Sequence, residues 1–167
     1  YPNSGKYMEA YSGNSTECAM FKFVNQLNGF AGNPGDASMP YKSIRESFPE
    51  SADGRAAITF SSKRKRMSTL VPWPGGGFRL FTKGASEMVM TLCTTYMDAD
   101  GSIKPLDDAK KKELEESVIN QFANQGLRTI SVAYRHFETT PADNGVLPET
   151  TEADLTMVCI VGIEDPL

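Results

Sequence analysis

Four scarcities limit what this chain of 167 residues can do. It has three cysteines and one histidine, and no apolar run approaches the roughly 20 residues of a transmembrane helix. Basic residues are also few, because 17 lysines and arginines face 21 aspartates and glutamates, for a net charge of -4. A nucleic-acid-binding domain usually carries a basic excess. The composition therefore argues against nucleic-acid binding and against a chain inserted in a membrane.

The few thiol and imidazole groups are widely spaced. Cys18, Cys93 and Cys159 form no C-x-x-C pair, and each lies in an apolar pattern. This predicts reduced, buried core cysteines and no disulfide framework. Because His136 is the only histidine, little remains for a transition-metal site, and no metal ligand is predicted. Nothing in the pattern recommends a catalytic cysteine–histidine pair.

The chain has the bulk properties of one globular domain. Its residues are 40% hydrophobic and 23% charged, and 167 residues can bury a real core. The first residues are polar and show no signal-peptide pattern, the chain does not start with methionine, and it ends abruptly. We therefore expect one domain over 1–167 that is a piece of a longer protein.

Apolar periodicity predicts the secondary structure. Helical spacing predicts three helices, at about 14–28, 86–96 and 107–124. Apolar runs rich in β-forming residues predict five strands, at about 55–60, 67–71, 78–82, 127–134 and 155–163. Glycine and proline predict a loop at 30–42, and the polar segment 138–154 is predicted to be a mobile surface loop.

The order of these elements predicts the fold class. Short turns join the first three strands, which predicts an antiparallel meander. Strands and helices do not alternate strictly along the chain, so a doubly wound parallel sheet is not expected. The sequence therefore predicts an α+β fold with a mostly antiparallel, twisted sheet flanked by helices.

Lys83 follows the predicted strand 78–82, and Gly84 and a helix that starts at Ser86 come next. A lysine beside free backbone N–H groups and the positive end of a helix dipole favours an anion. A lysine at a strand–helix junction is more commonly just solvated, however. Taken alone, this segment is a weak signal for a phosphate site.

Phe60 ends the first predicted strand, and the cations K-R-K-R follow at 63–66. This segment has three interpretations. It is a solvated basic turn, a nuclear-localisation or nucleic-acid patch, or a nucleotide pocket in which Phe60 stacks on a purine and the cations meet phosphate. The acidic composition argues against the second. Stacking of a base on an aromatic ring is worth roughly 1–3 kcal/mol.

Two further residues have both a plain and a functional interpretation. Arg128 lies between the predicted helix 107–124 and the next strand, and it is either a surface arginine or a partner for phosphate oxygens or a base. Glu17 lies in the first turn of the first predicted helix. It either caps that helix or accepts a hydrogen bond from an exocyclic amine such as that of adenine.

These segments occur together as motifs: G-N-S-T-E-C-A at 13–19, F-S-S-K-R-K-R-M-S at 60–68, K-G-A-S-E at 83–87, G-L-R-T-I-S-V-A-Y-R at 126–135 and V-G-I-E-D-P-L at 161–167. In this order they resemble the nucleotide-binding domain of P-type cation-transporting ATPases. The resemblance covers nearly the whole chain and is greatest to plasma-membrane-type calcium pumps.

The resemblance implies a set of nucleotide-binding residues: Glu17, Phe60, Ser62, Lys65, Lys83, Gly84 and Arg128. Phe60 would stack on adenine, and Glu17 would hydrogen-bond near the adenine amine. Lys83 and Gly84 would line the pocket floor near the base and ribose, and Lys65 and Arg128 would lie toward the phosphates.

The family often has an arginine at the position of Ser62. In having a serine here, the chain resembles the plasma-membrane-type pumps. Lys63 or Arg64 of the same turn would then be the substitute for that arginine at the phosphates.

The resemblance also implies chemistry and partners. ATP would be the ligand, with Mg²⁺ accompanying it in the full pump, and the phosphorylation and actuator domains of the same parent chain would be partners. The family's D-K-T-G-T motif does not occur here, so no catalytic residue is assigned and we expect binding without hydrolysis. Residues 164–167 would begin the hinge to the phosphorylation domain. The domain would be a cytosolic part of a multi-pass protein in the plasma membrane or an intracellular membrane.

Two alternatives stay open. One is the equivalent domain of a pump for another cation. The other is an interaction module without nucleotide binding, in which the basic residues 63–66 dock on an acidic partner or an anionic membrane surface.

Overall fold

The computed structural model describes residues 14–27, 48 and 54–164. The chain divides into two compact units, Tyr1–Pro49 and Glu50–Leu167.

In the first unit, helix α1 spans Ser15–Leu27. Asn14 caps it, because the Asn14 Oδ1 atom accepts a hydrogen bond from the Thr16 N–H at 2.9 Å. The backbone oxygen of Asn14 accepts another from the Cys18 N–H at 3.0 Å. The first bond satisfies an N–H group that has no partner within the helix, and the second is the first bond of the helical series. The predicted first helix is confirmed over these residues, and the predicted loop at 30–42 lies outside the described residues.

The second unit is built on one seven-stranded sheet. Its strands are β1 Ala56–Ser61, β2 Arg66–Pro72, β3 Phe78–Ala85, β4 Cys93–Met97, β5 Ile103–Pro105, β6 Arg128–Phe137 and β7 Leu155–Ile163. They lie in the order β1-β2-β3-β6-β7-β4-β5. Every neighbouring pair is antiparallel except β4 with β7, which is parallel. The predicted α+β class, the mostly antiparallel sheet and the meander of the first three strands are confirmed.

The predicted helix at 107–124 is also confirmed. It consists of α3 Asp108–Leu114, a π-helical turn at Glu115–Ile119 and α4 Asn120–Asn124. The Asp107 side chain caps it by accepting a hydrogen bond from the Lys110 N–H at 2.8 Å. Gly126 follows with a φ of +74°, a left-handed conformation that glycine adopts without strain and that commonly ends a helix.

The predicted helix at 86–96 is confirmed only as far as Met90 and is wrong beyond that residue. Helix α2 spans only Ser86–Met90, and strand β4 begins at Cys93. The apolar residues here fit a helical period, but β4 gains backbone partners from both β7 and β5. This pairing with two strands, of which β7 is distant in sequence, overrides the local helical pattern. Strand β5 has only three residues and was not predicted.

One face of the sheet, the core face, carries the main hydrophobic core. Leu70 on β2 lies opposite Leu80 on β3, and both side chains are fully buried. Ala133 on β6 is also fully buried, as are Val89 of α2 and Leu155 at the start of β7. All five belong to a single cluster. This cluster holds α2 and the sheet together, and it fixes the register of β2, β3 and β6, because a one-residue slip would expose it.

The opposite face, the second face, is less covered. Met67, Lys83 and Val132 lie side by side on β2, β3 and β6, and all three are half-buried. Strand β1 has an irregularity between Ile58 and Ser61, where its register against β2 shifts. Such a bulge bends the strand and redirects the side chains that follow.

The segment 138–154 was predicted to be a mobile surface loop, and this is only partly right. Its second half is anchored, because Leu147, Thr151 and Glu152 are 6%, 8% and 2% exposed. A short 3-10 turn at Glu149–Thr151 precedes the buried glutamate. The composition suggested a solvated loop, but one buried carboxylate and two buried side chains attach it to the rest of the unit.

The three cysteines are free thiols, as predicted, but only Cys93 is buried. Burial raises the pKa of the Cys93 thiol to about 12. Cys18 and Cys159 are half-buried, so the prediction of core burial is wrong for both. Among the described helices, none is long and apolar enough to cross a membrane.

Candidate functional site

The segment that joins β1 to β2, residues 62–65, forms a tight turn that we call the basic turn. The Lys65 N–H donates to the Ser61 backbone oxygen at 2.7 Å, and the Arg64 N–H donates to the Ser61 hydroxyl at 3.2 Å. Lys65 has a φ of 51°, in the left-handed region that lysine rarely adopts. The turn therefore holds Lys65 in a strained backbone conformation.

Phe60 lies immediately before this turn, and its side chain does not join the core. The residue is 61% exposed, although it is a large aromatic residue on a strand. Because the irregularity in β1 separates it from Ile58, Phe60 leaves the alternation that packs the half-buried Ile58 against the core. An exposed ring at the end of a strand presents a flat apolar surface that can stack on a base.

The four cations of the K-R-K-R segment divide into two pairs. Lys63 and Lys65 are exposed, whereas the side chains of Arg64 and Arg66 are only 10% and 14% exposed. Both arginines bind Glu152, the buried carboxylate that precedes β7. Of the two substitutes suggested for an arginine at position 62, only Lys63 therefore presents its charge to solvent.

Glu152 has a complete set of partners. An amine of the Arg64 guanidinium donates to Oε1, and the Arg66 Nε donates to Oε2 at 2.8 Å. The Ser68 hydroxyl donates to Oε1 at 2.6 Å and lies 2.8 Å from the hydroxyl of Thr82. Burial acts to raise the pKa of Glu152, but these hydrogen bonds outweigh it and lower that pKa below its usual value. The ionised carboxylate is therefore favoured, and it offsets part of the positive charge of the two arginines.

Lys83 and Gly84 lie inside strand β3, which runs on to Ala85. The prediction that the strand ends before Lys83 is therefore wrong, because both residues pair with β2 on one side and with β6 on the other. Helix α2 starts only at Ser86 and has five residues. The hypothesis of an anion site built from free N–H groups and a helix dipole at this junction is not supported.

Gly84 has a steric role. A methyl group on its Cα would lie 2.4 Å from the Lys65 backbone oxygen and 2.5 Å from the Arg66 Cβ. The Ala85 N–H also donates to the Lys65 backbone oxygen at 2.9 Å. Gly84 therefore lets the end of the basic turn lie directly against β3.

The strand register brings most of the predicted site residues to one end of the sheet. Ser61 pairs with Arg66, which pairs with Gly84, so Phe60, the basic turn and Lys83 lie on three adjacent strands. Neighbouring strands are about 4.8 Å apart, which places these groups within the span of one nucleotide.

Arg128 is the first residue of β6 and is exposed. It lies two residues before Ile130 in the chain, and Ile130 pairs with Ala85 at the end of β3. Arg128 is therefore at the same end of the sheet. Glu17 is exposed in the first turn of α1 and is described with the first unit. Asn14, and not Glu17, supplies the side-chain cap at the Thr16 N–H.

Sequence reasoning missed Glu152. It lies in a polar segment with several other acidic residues, and its arginine partners are 86 and 88 residues away. The one available signal is its position just before an apolar strand, which does not distinguish a buried carboxylate from a solvated one.

The strain at Lys65 gives a test of the turn geometry. We expect the free energy of unfolding of Lys65→Gly to exceed that of Lys65→Ala by about 1 kcal/mol, because glycine adopts positive φ without a steric cost. Both variants lose the same charge, so the difference isolates the backbone conformation. Urea unfolding of the two proteins measures it, and equal or reversed stabilities would contradict the left-handed conformation.

Comparison with known proteins gives the family. A family model described as P-type ATPase, cytoplasmic domain N, matches residues 1–167. The chain is 37% identical over 159 residues to plasma membrane calcium-transporting ATPase 4 of Homo sapiens, covering 93% of this chain and 12% of the relative. It is 38% identical over 155 residues to plasma membrane calcium-transporting ATPase 2 of Oreochromis mossambicus, with coverages of 93% and 13%.

A nematode relative, plasma membrane calcium-transporting ATPase mca-1 of Caenorhabditis elegans, is 34% identical over 174 residues, again covering 93% of this chain and 13% of the relative. The chain thus spans only a small part of the length of these relatives. The match over the whole chain nevertheless shows that it belongs to the family of the cytoplasmic domain N of P-type ATPases.

Proposed function

We propose that residues 1–167 are one domain that binds ATP by its adenosine end. The observation that carries this proposal is the exposed ring of Phe60, 61% accessible, beside a turn whose lysines point to solvent. Stacking supplies affinity for the base, and Lys65 supplies positive charge for the phosphates. Lys83, Gly84 and Arg128 lie at the same end of the sheet.

The remaining assignments follow the resemblance. Glu17 would hydrogen-bond near the adenine amine. Ser62, in the basic turn, would be close to the nucleotide but would offer no positive charge to the phosphates. The exposed charged groups of the turn are the cations Lys63 and Lys65, which suit phosphate oxygens and not a metal ion. Mg²⁺ would therefore arrive with the nucleotide in the full pump, and its remaining ligands would come from other parts of the parent chain.

In the parent protein we propose ATP-driven calcium transport. The named relatives are calcium-transporting ATPases of the plasma membrane, which favours calcium over another cation and the plasma membrane over an intracellular one. The domain would be cytosolic. A hinge beginning at 164–167 would carry ATP to the phosphorylation domain, and the actuator domain would be a second partner. Catalysis would rest on positioning and charge stabilisation.

The domain by itself should bind ATP weakly and release no phosphate. One stacking contact and a few solvated charges must offset the lost freedom of the ligand, so we expect a dissociation constant between about 0.1 mM and several mM. Amide chemical shifts in a titration with ATP measure it, and adenosine should produce saturable shifts at the same residues. A nanomolar constant, or hydrolysis by the purified domain, would contradict the proposal.

The interaction-module alternative predicts a different titration. Binding would depend on charge, so tripolyphosphate would shift the turn as ATP does, adenosine would have no effect, and the shifts would vanish as salt is raised. The structure gives this alternative less support than the sequence did, because Arg64 and Arg66 are largely buried and paired with Glu152. Only Lys63 and Lys65 remain exposed in the K-R-K-R segment.

A further inference from the structure

A single buried carboxylate connects the segment before β7 to the basic turn. The Glu152 side chain has no exposure in its ion pairs with Arg64 and Arg66. Its own segment is held by the Thr151 hydroxyl, which donates to the Pro148 backbone oxygen at 2.6 Å. The Glu152 N–H also donates to the Glu149 backbone oxygen, at 3.1 Å. The carboxylate therefore stands on a supported turn and not on a loose side chain.

From Glu152, hydrogen bonds lead to the residue beside Phe60. Arg64 binds Glu152 through one guanidinium amine and donates through the other to the Thr59 backbone oxygen at 3.0 Å. Arg66 binds Glu152 through Nε and donates to the Arg64 backbone oxygen at 3.3 Å. Both arginines are thus shared between Glu152 and the backbone of β1 and the turn. This network fixes the strand end on which the exposed ring stands.

Such a network is costly to build and costly to break. A buried carboxylate loses the free energy of its hydration, and only well-placed hydrogen-bond and ion-pair partners compensate for that loss. Removal of one partner leaves an uncompensated charge. Apolar residues of similar volume often stabilise a fold as well. A buried group of this kind is thus better suited to fix a geometry than to add stability.

We propose that Glu152 is a positioning residue for nucleotide binding, which holds Phe60 and Lys65 in their exposed positions through Arg64 and Arg66. This inference rests on the proposed function. It assigns the two arginines of K-R-K-R to the support of the site and leaves phosphate contacts to the lysines. A segment 84 to 88 residues away in sequence therefore shapes the adenosine end of the site.

The test compares Glu152→Gln with the matched control Glu149→Gln. The side chain of Glu149 is 65% exposed and lies 3.5 Å from the Arg64 Nε, so the control removes an equal charge near the same arginine but keeps the Glu152 carboxylate and its hydrogen-bond donors. We expect Glu152→Gln to raise the dissociation constant for ATP by about fivefold or more, and Glu149→Gln to change it by less than about twofold. The dissociation constants of both variants are measured well below the unfolding temperatures of the two proteins.

A merely structural role predicts another pattern. Glu152→Gln would then lower the unfolding temperature, but the folded protein would bind ATP and adenosine with unchanged constants, which would overturn the inference. The Nε–Hε signal of Arg66 reports the ion pair directly and should move in Glu152→Gln but not in Glu149→Gln. Wild-type protein is titrated beside both variants, so a failure of the wild type to bind ATP would count against the proposed function and not against this inference alone.

If Glu152→Gln does not fold, Ser68→Ala replaces it. This change removes one neutral donor to Glu152, 2.6 Å from Oε1, and alters no charge near the nucleotide. We expect a rise of about twofold or more in the dissociation constant for both ATP and adenosine. Unchanged constants in a folded Ser68→Ala protein would overturn the positioning role.

Discussion

Phe60→Ala should remove most ATP binding by this domain, with a dissociation constant at least about fivefold higher than that of the wild type. The reason is that stacking of a base on the ring contributes roughly 1–3 kcal/mol, and alanine offers no comparable surface. Because the contact is apolar, the loss should be nearly the same at low and high salt. Titrations with ATP in both salt conditions measure it.

Phe81→Ala is the matched control for this change. Phe81 is also partly exposed, at 36%, but it packs near Trp73 with ring centroids 5.9 Å apart. It lies near the middle of β3, two residues before Lys83. We expect Phe81→Ala to bind ATP as the wild type does. If Phe60→Ala kept its affinity, or if both changes reduced it equally, Phe60 would not be the stacking residue.

Gly84→Ala should lower the free energy of unfolding by about 2–4 kcal/mol, which is a large part of the stability of a small domain. A methyl group at this position would lie 2.4 Å from the Lys65 backbone oxygen, and backbone cannot yield as a flexible side chain can. The basic turn would have to move away from β3. Urea unfolding measures the loss.

Gly75→Ala is the control for Gly84→Ala, because it makes the same substitution in a turn of the same unit. A methyl group on Gly75 would come no closer than 3.5 Å to the Trp73 ring, which is ordinary contact, so we expect a change within about 0.5 kcal/mol. The comparison also separates two roles for Gly84. If Gly84→Ala kept its stability and lost only ATP binding, the glycine would serve the ligand directly and the steric account would be wrong.

Much of the fold could be predicted because its elements repeat a period over many residues. The helix from Asp108 to Asn124 and the strands β6 and β7 are long, and the turn at 72–77 has strong breakers. The failures concern short or shared patterns. Strand β4 carries apolar residues that also fit a helix, and only its pairing with β5 and β7 decides between the two.

The site could be predicted in part for the same reason. Phe60 and the K-R-K-R segment are local signals, and the meander of short turns brings them next to Lys83. What each cation does is not local. Arg64 and Arg66 turn inward because Glu152 meets them from a segment more than 80 residues further along the chain, and no short pattern records that partnership.

Adenine should stack on the exposed ring of Phe60. The most direct test is a search for intermolecular nuclear Overhauser effects between the adenine H2 and H8 protons of ATP and the ring protons of Phe60, in protein with labelled phenylalanine. We expect such effects to Phe60 and none to Phe81, which packs near Trp73 in the middle of β3. Saturable ATP binding without any contact between adenine and the Phe60 ring would contradict it.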